Sequence, residues 1–341
     1  MGSLNIFKKA AASAAVIFLF AVPVSAENVS GAGTSKCPEL YSILWQQTSA
    51  CYKALCHQCY NLAGDAMRDN VRTGNYRRGE DGLLYKDELI RTAEGELFMS
   101  SKPLAIVLDL DETVFDNSPF EAWTCLNGKA YQGSDWNDFC RYQGDNVQAQ
   151  RSVPGAVEFL LDVQKMGITP IYITDRSEEV REATLKTLKG LGLDIDNLND
   201  HLILYDRNRD QKAAADMAEA LNNDCFSKRV LNNASKKAGR RYQVEQNYHV
   251  LGWFGDNFYD FPVYVDKTLK GQDIRAARNA QVEEYSDAWG KRFFILPCPM
   301  YGSWVREPAL PLDKVNEALD DAGFGAYMLK NSSSGGSKFN R

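Results

Sequence analysis

Histidine is scarce in this 341-residue chain, which has only His57, His201 and His249. None of them follows an arginine, so the Arg-His-Gly pattern of a histidine phosphatase is missing. They are also scattered, which argues against a binuclear metal centre built on several imidazoles. No arginine stands six residues after any of the eight cysteines, and this excludes the loop of a cysteine phosphatase. The chain lacks a G-x-x-x-x-G-K-S/T phosphate loop. A metal reading of Cys56-His57-Gln58-Cys59 would need a second ligand pair at suitable spacing, and none is evident. Charge of one sign is not in large excess, the formal net charge being −6. The basic runs Arg77-Arg78 and Lys236 to Arg241 are short and carry no interleaved aromatics. Nothing therefore suggests binding to a nucleic acid polymer. There is no internal repeat.

What is present begins with Asp109-Leu110-Asp111-Glu112-Thr113. It follows the unbroken apolar run Leu104 to Leu108, which reads as a short buried strand. Two carboxylates then stand at the strand's carboxyl end, where open α/β sheets place ligands. Side chains alternate along a strand, so Asp109 and Asp111 can point the same way. Two such charges repel unless a cation or a shared proton relieves them, and a hard cation such as Mg²⁺ suits oxygen ligands. One carboxylate can then attack while the other handles protons. An isolated pair of this kind would read as a solvated turn. Three further segments change that reading.

Ile171-Tyr172-Ile173-Thr174 is a second apolar run ending in a hydroxyl, with Ser177 able to cap a following helix. Thr174 thus stands at a strand-to-helix junction suited to phosphate. The third segment is Lys236-Lys237-Ala238-Gly239-Arg240-Arg241. The fourth is the strand-like run His249 to Phe254 followed by Gly255-Asp256-Asn257-Phe258-Tyr259-Asp260, where Gly255 lets the backbone turn near a ligand.

The order strand-DxD, strand-Thr, Lys, strand-GDxxxD resembles the four motifs of the haloacid dehalogenase superfamily of phosphohydrolases. More narrowly, DLDETVFDNSP at 109–119, RSVPGAVEF at 151–159, GDNFYDF at 255–261 and LPCPMYGSW at 296–304 resemble the class C acid phosphatases. That family includes bacterial outer-membrane lipoprotein 5′-nucleotidases. LWQQTSACYKALCHQCYNLA at 44–63 is similar to the family's leading helix, so the resemblance runs from about 40 to about 310.

The resemblance implies an α/β fold: a Rossmann-like parallel sheet flanked by helices, with a smaller helical cap region. It implies a Mg²⁺-dependent acid phosphatase acting on small phosphomonoesters, including nucleoside 5′-monophosphates. Asp109 would be the nucleophile that becomes an aspartyl-phosphate, and Asp111 the general acid and then base. Thr174 would hydrogen-bond the phosphoryl oxygens, with Asp175 and Arg176 beside it as substrate contacts. Lys237 would neutralise charge, and Lys236 stays open as its rival. Lys237 is preferred to Lys212 because Ser235-Lys236-Lys237-Ala238-Gly239-Arg240 carries the family's S-x-K-x-x-R spacing. Asp256 would complete the metal site with Asp109 and the main chain of Asp111, with Asp260 nearby. Trp136 and Tyr301 would hold a flat leaving group between them. The family usually has Asn where this chain has Asp175, and an extra carboxylate there would weaken phosphate binding or lower the pH optimum. A phosphotransferase on the same site is an alternative. So is a non-catalytic binding or storage protein, since some plant relatives have lost the nucleophile.

Lys8-Lys9, the mostly apolar run Ala10 to Val22, and Val24-Ser25-Ala26 form a charged, apolar and small-residue series. It reads as a signal peptide cut after Ala26, its apolar core being too short for a bilayer span of about twenty residues. Glu27 follows, not a lipid-modified cysteine, so a secreted or periplasmic protein without a stable membrane anchor is expected. A homodimer is compatible with the chain and not required by it.

Residues 27–100 are expected to be a helical region and 101–330 the phosphatase core. That core holds a cap-like insertion at 119–150 and an extra insertion at 206–233, while 331–341 has the composition of a flexible tail. Pro154-Gly155 should open a helix that runs to about Met166 and stops at Gly167. Cys51, Cys56 and Cys59 fall in one helix, with an expected apolar stripe of Leu44, Cys51, Leu55, Cys59 and Leu62. Disulfides are expected among the cysteines outside that helix, Cys125–Cys140 first.

Overall fold

The structure is a computed structural model. It describes residues 37–306 apart from 38, 92–94, 194–196, 222–236, 264, 266–268 and 270. The signal-peptide reading up to Ala26, Lys236, Cys225 and the tail from 331 lie outside the described residues.

The chain opens with α1 (Leu40–Thr48) and α2 (Ala50–Thr73). The Ser49 hydroxyl caps α2 by accepting from the Cys51 amide. Strands β1 (Arg77–Arg78), β2 (Leu84–Arg91) and β3 (Leu97–Leu108) follow. Then come α3 (Ser118–Leu126), α4 (Gly133–Asp145), α5 (Ala156–Met166), β4 (Thr169–Ser177), α6 (Arg181–Gly190), α7 (Leu198–His201), β5 (Leu202–Tyr205) and α8 (Arg207–Leu221). After the undescribed stretch come α9 (Ala238–Asn247), β6 (His249–Gly255), α10 (Gly271–Glu284) and β7 (Phe293–Ile295).

β3 is the central strand. Its second half pairs in parallel with β4 on one side and β6 on the other. β5 extends the sheet beyond β4, and β7 extends it beyond β6. The chain therefore builds one side of β3, returns, and builds the other. This is the switch point at which open α/β sheets leave a crevice beyond the strand ends. Leu104, Ile106 and Leu108 enter one core with Tyr60, Met67, Phe159 and Phe254. Ala105 and Val107 enter a second core with Ile171, Ile173, Val244 and Trp253. Strands buried on both faces read as continuous apolar runs, which is why these were visible in the sequence.

Three expectations are corrected. Residues 27–100 are not helical throughout: β2 pairs antiparallel with the first half of β3, from Tyr85↔Pro103 to Arg91↔Leu97. Leu89, Leu97, Phe98 and Met99 are exposed on this ribbon, so no alternation marks it in the sequence. The buried stripe of α2 is Tyr52, Cys56, Tyr60, Ala63 and Met67, while Leu55 and Leu62 are exposed. The Tyr60 hydroxyl can be buried because it donates to the carbonyl of Thr113, in the loop after β3. Among the described residues the disulfide is Cys37–Cys125, across 88 residues of sequence. Cys140 is a free, buried thiol of α4, whereas Cys125 lies against Cys37, Ile43 and Met300. α5 ends at Gly167 in the left-handed conformation (φ 87°), which glycine adopts without a Cβ penalty.

Closing so long a loop restricts the unfolded chain. Cys125→Ser should lower the unfolding free energy by about 2–4 kcal/mol. Denaturant melts of wild type should show the same loss on reduction, and Cys140→Ser should not. Equal midpoints with and without reductant would rule the bond out as a stabilising link.

Candidate active site

Asp109 begins at the last hydrogen bond of β3, its amide donating to the Phe254 carbonyl of β6 at 3.0 Å. The chain then turns tightly, with the amides of Val114 and Phe115 both donating to the Leu110 carbonyl at 2.8 Å. Glu112 takes a positive φ of 56° in this turn and is fully buried. The turn is tied to α1, where the Gln46 side-chain amide donates to Asp116 at 3.2 Å.

On the neighbouring strand β6, Gly255 precedes Asp256. A Cβ at Gly255 would come within 2.3 Å of the Asp260 side chain, so glycine is required by packing against Asp260. The Asp260 carboxylate accepts from the Asn257 amide at 3.0 Å, which closes a capping box on the turn Phe258–Asp260. Asp109, Asp256 and Asp260 each bring a carboxylate oxygen into one group spanning no more than 4.8 Å.

Lys237 stands at the N-cap of α9, and its ammonium lies 2.7 Å from Asp109 Oδ1 and 2.7 Å from Asp260 Oδ1. Burial alone would lower its pKa, but the neighbouring Asp109 and Asp260 outweigh that and raise it. One turn on, Arg240 is fully buried. It donates to the Thr174 carbonyl and to Asp175 Oδ1, each at 2.6 Å, and pairs with Asp210 of α8 at 3.2 Å. Lys212 is exposed on α8.

One ammonium among three carboxylates leaves the cluster short of positive charge. Burial, and then Asp260, push Asp256 up to about 8. Burial raises Asp109 well above its ordinary value; Lys237 opposes this, and Asp260, Asp256 and Asp111 add to it. A donor set of hard oxygens with surplus negative charge suits a divalent cation held by Asp109, Asp256 and Asp260.

The Asp111 side chain is not in that cluster. It faces Arg176, Asn117 and Thr174. Arg176 is buried with its guanidinium 2.8 Å from Asp111, so the reading of Arg176 as a substrate contact is corrected. Asp175 is turned to Arg240, so its carboxylate is paired with a cation. Thr174 is buried; its hydroxyl lies 3.3 Å from Asp111 Oδ2 and accepts from the Arg176 amide at 3.1 Å.

Trp136 of α4 packs on Phe120 and Phe139, with Arg176 5.5 Å from its ring centre. Tyr301 packs against the cluster of Cys37, Ile43 and Met300. Among the described residues the two rings do not stack on each other. Trp136 rests on α3 through Phe120, and Tyr301 packs on the same small cluster as Ala122 and Cys125 of α3.

Asn117, Gln143, Glu112 and Arg240 belong to the site, and the sequence reading did not single them out. Asn117 lies inside the DLDETVFDNSP string and Arg240 closes the S-x-K-x-x-R spacing, so those two had a signal. Gln143 had none.

A family model described as HAD superfamily, subfamily IIIB (Acid phosphatase) matches residues 3–304. Among solved structures, the chain is similar to the class C acid phosphatase from Bacillus anthracis. The sequences are 27% identical, the match covers 89% of this chain and 98% of that one, and the TM-score is 0.56. The same enzyme with tungstate bound matches at 27% identity, equal coverage and a TM-score of 0.57. With its strand-end aspartates, its buried lysine and this match across most of its length, the chain belongs to the acid phosphatases of the haloacid dehalogenase superfamily, subfamily IIIB, and is a phosphomonoester hydrolase.

Proposed function

We propose that the chain is an exported, Mg²⁺-dependent class C acid phosphatase that hydrolyses nucleoside 5′-monophosphates and other phosphomonoesters through an aspartyl-phosphate on Asp109. The observation that carries this reading is Lys237 bridging Asp109 and Asp260 at 2.7 Å, beside Asp256. In this reading Asp109 is the nucleophile, a strand-end carboxylate with the fixed positive charge of Lys237 beside it. Phosphoryl transfer needs such positioning, together with charge around the equatorial oxygens.

Asp109 attacks phosphorus as Asp111 delivers a proton to the leaving oxygen. Asp111 then takes a proton from the water that opens the acylphosphate. Lys237 holds Asp109 in place and offsets charge on the phosphoryl group. Thr174 turns its hydroxyl from Asp111 to a phosphoryl oxygen. Asp109, Asp256 and Asp260 would hold the Mg²⁺, which when bound would supply the positive charge that lets the anionic carboxylate and phosphate approach each other. Trp136 and Tyr301 flank the leaving group and favour flat ones, since stacking on an aromatic is worth roughly 1–3 kcal/mol per base. Export is supported by the segment ending at Ala26 and by the Cys37–Cys125 bond, which suits an oxidising compartment.

A panel of phosphomonoesters with and without Mg²⁺ tests this. Chelation should abolish turnover and Mg²⁺ should restore it, with nucleoside monophosphates preferred to sugar phosphates. A second readout needs no turnover. In chelator, Asp256 of the folded protein holds a proton up to about pH 8, while in the unfolded chain it ionises near 3.8. The folded state thus binds more protons between those values, so metal-free stability should fall as pH rises from about 4 to about 8. Mg²⁺ should raise the melting temperature most at the upper end of that window. Full activity in excess chelator would overturn the metal assignment.

A further inference from the structure

The two oxygens of the Asp111 carboxylate have unequal surroundings. Oδ1 lies 2.9 Å from Arg176 Nε, 2.8 Å from Arg176 Nη2 and 2.9 Å from Asn117 Nδ2. Oδ2 has the Thr174 hydroxyl at 3.3 Å. A carboxylic acid's proton cannot sit on an oxygen whose lone pairs already face N–H donors, because donor would meet donor.

Arg176 is itself held from several sides. Its Nη2 donates to Gln143 Oε1 at 2.9 Å and to Asn117 Oδ1 at 3.3 Å. Its guanidinium carbon lies 4.7 Å from the centre of the Phe115 ring. Gln143 is fully buried on α4 and donates back to Asn117 Oδ1 at 3.2 Å. The Asn117 backbone amide donates to the buried Glu112 at 2.7 Å. The network therefore joins the turn after β3, the end of β4 and the inserted helix α4.

Resting on the proposed mechanism, we infer that Arg176, with Asn117 and Gln143, is a positioning group that pins Asp111 through Oδ1 and leaves Oδ2 as the oxygen that exchanges the proton. In the first half-reaction the bond from phosphorus to the leaving oxygen breaks, a bond from phosphorus to Asp109 forms, and the Oδ2 proton passes to the leaving oxygen. In the second, water's oxygen bonds to phosphorus, the Asp109–phosphorus bond breaks, and water's proton returns to Oδ2. The inserted helix α4 thus takes part in aiming the general acid through Gln143.

The test uses the dependence of kcat/KM on the leaving group, which reports the steps up to phosphoryl transfer to the enzyme. Nitrophenol leaves readily without a proton, whereas a simple alcohol does not. Arg176→Gln should cost about 100-fold more with an alkyl phosphate than with nitrophenyl phosphate, the usual scale for a general acid. Arg176→Lys should recover part of that gap. Gln143→Met, a milder change, should steepen the dependence in the same direction and keeps the idea testable if Arg176→Gln fails to fold. Equal losses for all esters in the folded variants would mean that the network only supports the fold, and would overturn the inference while leaving the proposed mechanism standing. Wild-type protein inactive on every ester would instead overturn the proposed function, and this inference with it.

Discussion

Asp109→Asn should reduce kcat by about four orders of magnitude or more, the scale expected when a covalent nucleophile is lost. The substitution keeps the side chain's shape. The amide that donates to the Phe254 carbonyl at 3.0 Å belongs to the backbone and is retained. What is lost is the carboxylate that can attack phosphorus. The fold should not suffer. Asp109 is held above its ordinary pKa by burial, and the carboxylates of Asp260, Asp256 and Asp111 add to that. Removing its charge relieves a cluster in which Lys237 is shared, so melting in chelator should occur at the same temperature or higher. Asp109→Ala serves as a second variant that cannot revert by deamidation. In wild type, beryllofluoride with Mg²⁺ should trap a phosphate mimic on Asp109, visible by mass or by fluorine NMR. The aspartyl mechanism fails if the Asn variant, checked to carry Asn, retains most of its turnover.

The strand ends and their carboxylates could be read from the sequence because both signals are local. A parallel strand covered on two faces has little room for polar residues, so Leu104 to Leu108 and Val250 to Phe254 mark their own ends. The carboxylates that meet in the cluster then follow within a few positions. Lys237 was legible through its spacing to Arg240, one helical turn away.

The directions of side chains were not legible. Arg176 follows Thr174 by two residues, and proximity suggested a substrate contact. Its real partners are set by Gln143, 33 residues earlier on a helix whose packing the local sequence does not encode. The pairing of Cys125 with Cys37 likewise depends on how α1 and α3 meet. In α2 the error was one of rotation. Leucines suggested one face, but tyrosines occupy the buried one, because Tyr60 reaches a backbone carbonyl across the core. The insertion expected from residue 206 begins with α8, and nothing local announces that its Asp210 pairs with Arg240 beside the site.

Lys237→Met should impair both the chemistry and the metal-free fold, and the two losses separate by experiment. The ammonium lies 2.7 Å from Asp109 and from Asp260, and the lysine is buried. Methionine keeps much of the aliphatic stem and removes the charge. Three carboxylates spanning at most 4.8 Å are then left without this cation. Breaking a buried ion pair by deleting one partner costs about 3–5 kcal/mol, because the remaining charge is uncompensated. The variant should therefore melt well below wild type in chelator, and Mg²⁺ should restore much of the difference by neutralising the same oxygens. Activity should not return with it. Fixed charge beside the phosphoryl group is worth about 100- to 1,000-fold for a single donor, and Asp109 would also lose the group that orients it. With saturating Mg²⁺, kcat should thus remain down by about that factor or more. Lys236→Met is the control, since the contacts to Asp109 and Asp260 are made by Lys237, and it should keep near-wild-type kcat. If Lys236→Met removed turnover and Lys237→Met spared it, the lysine of this site would be misassigned.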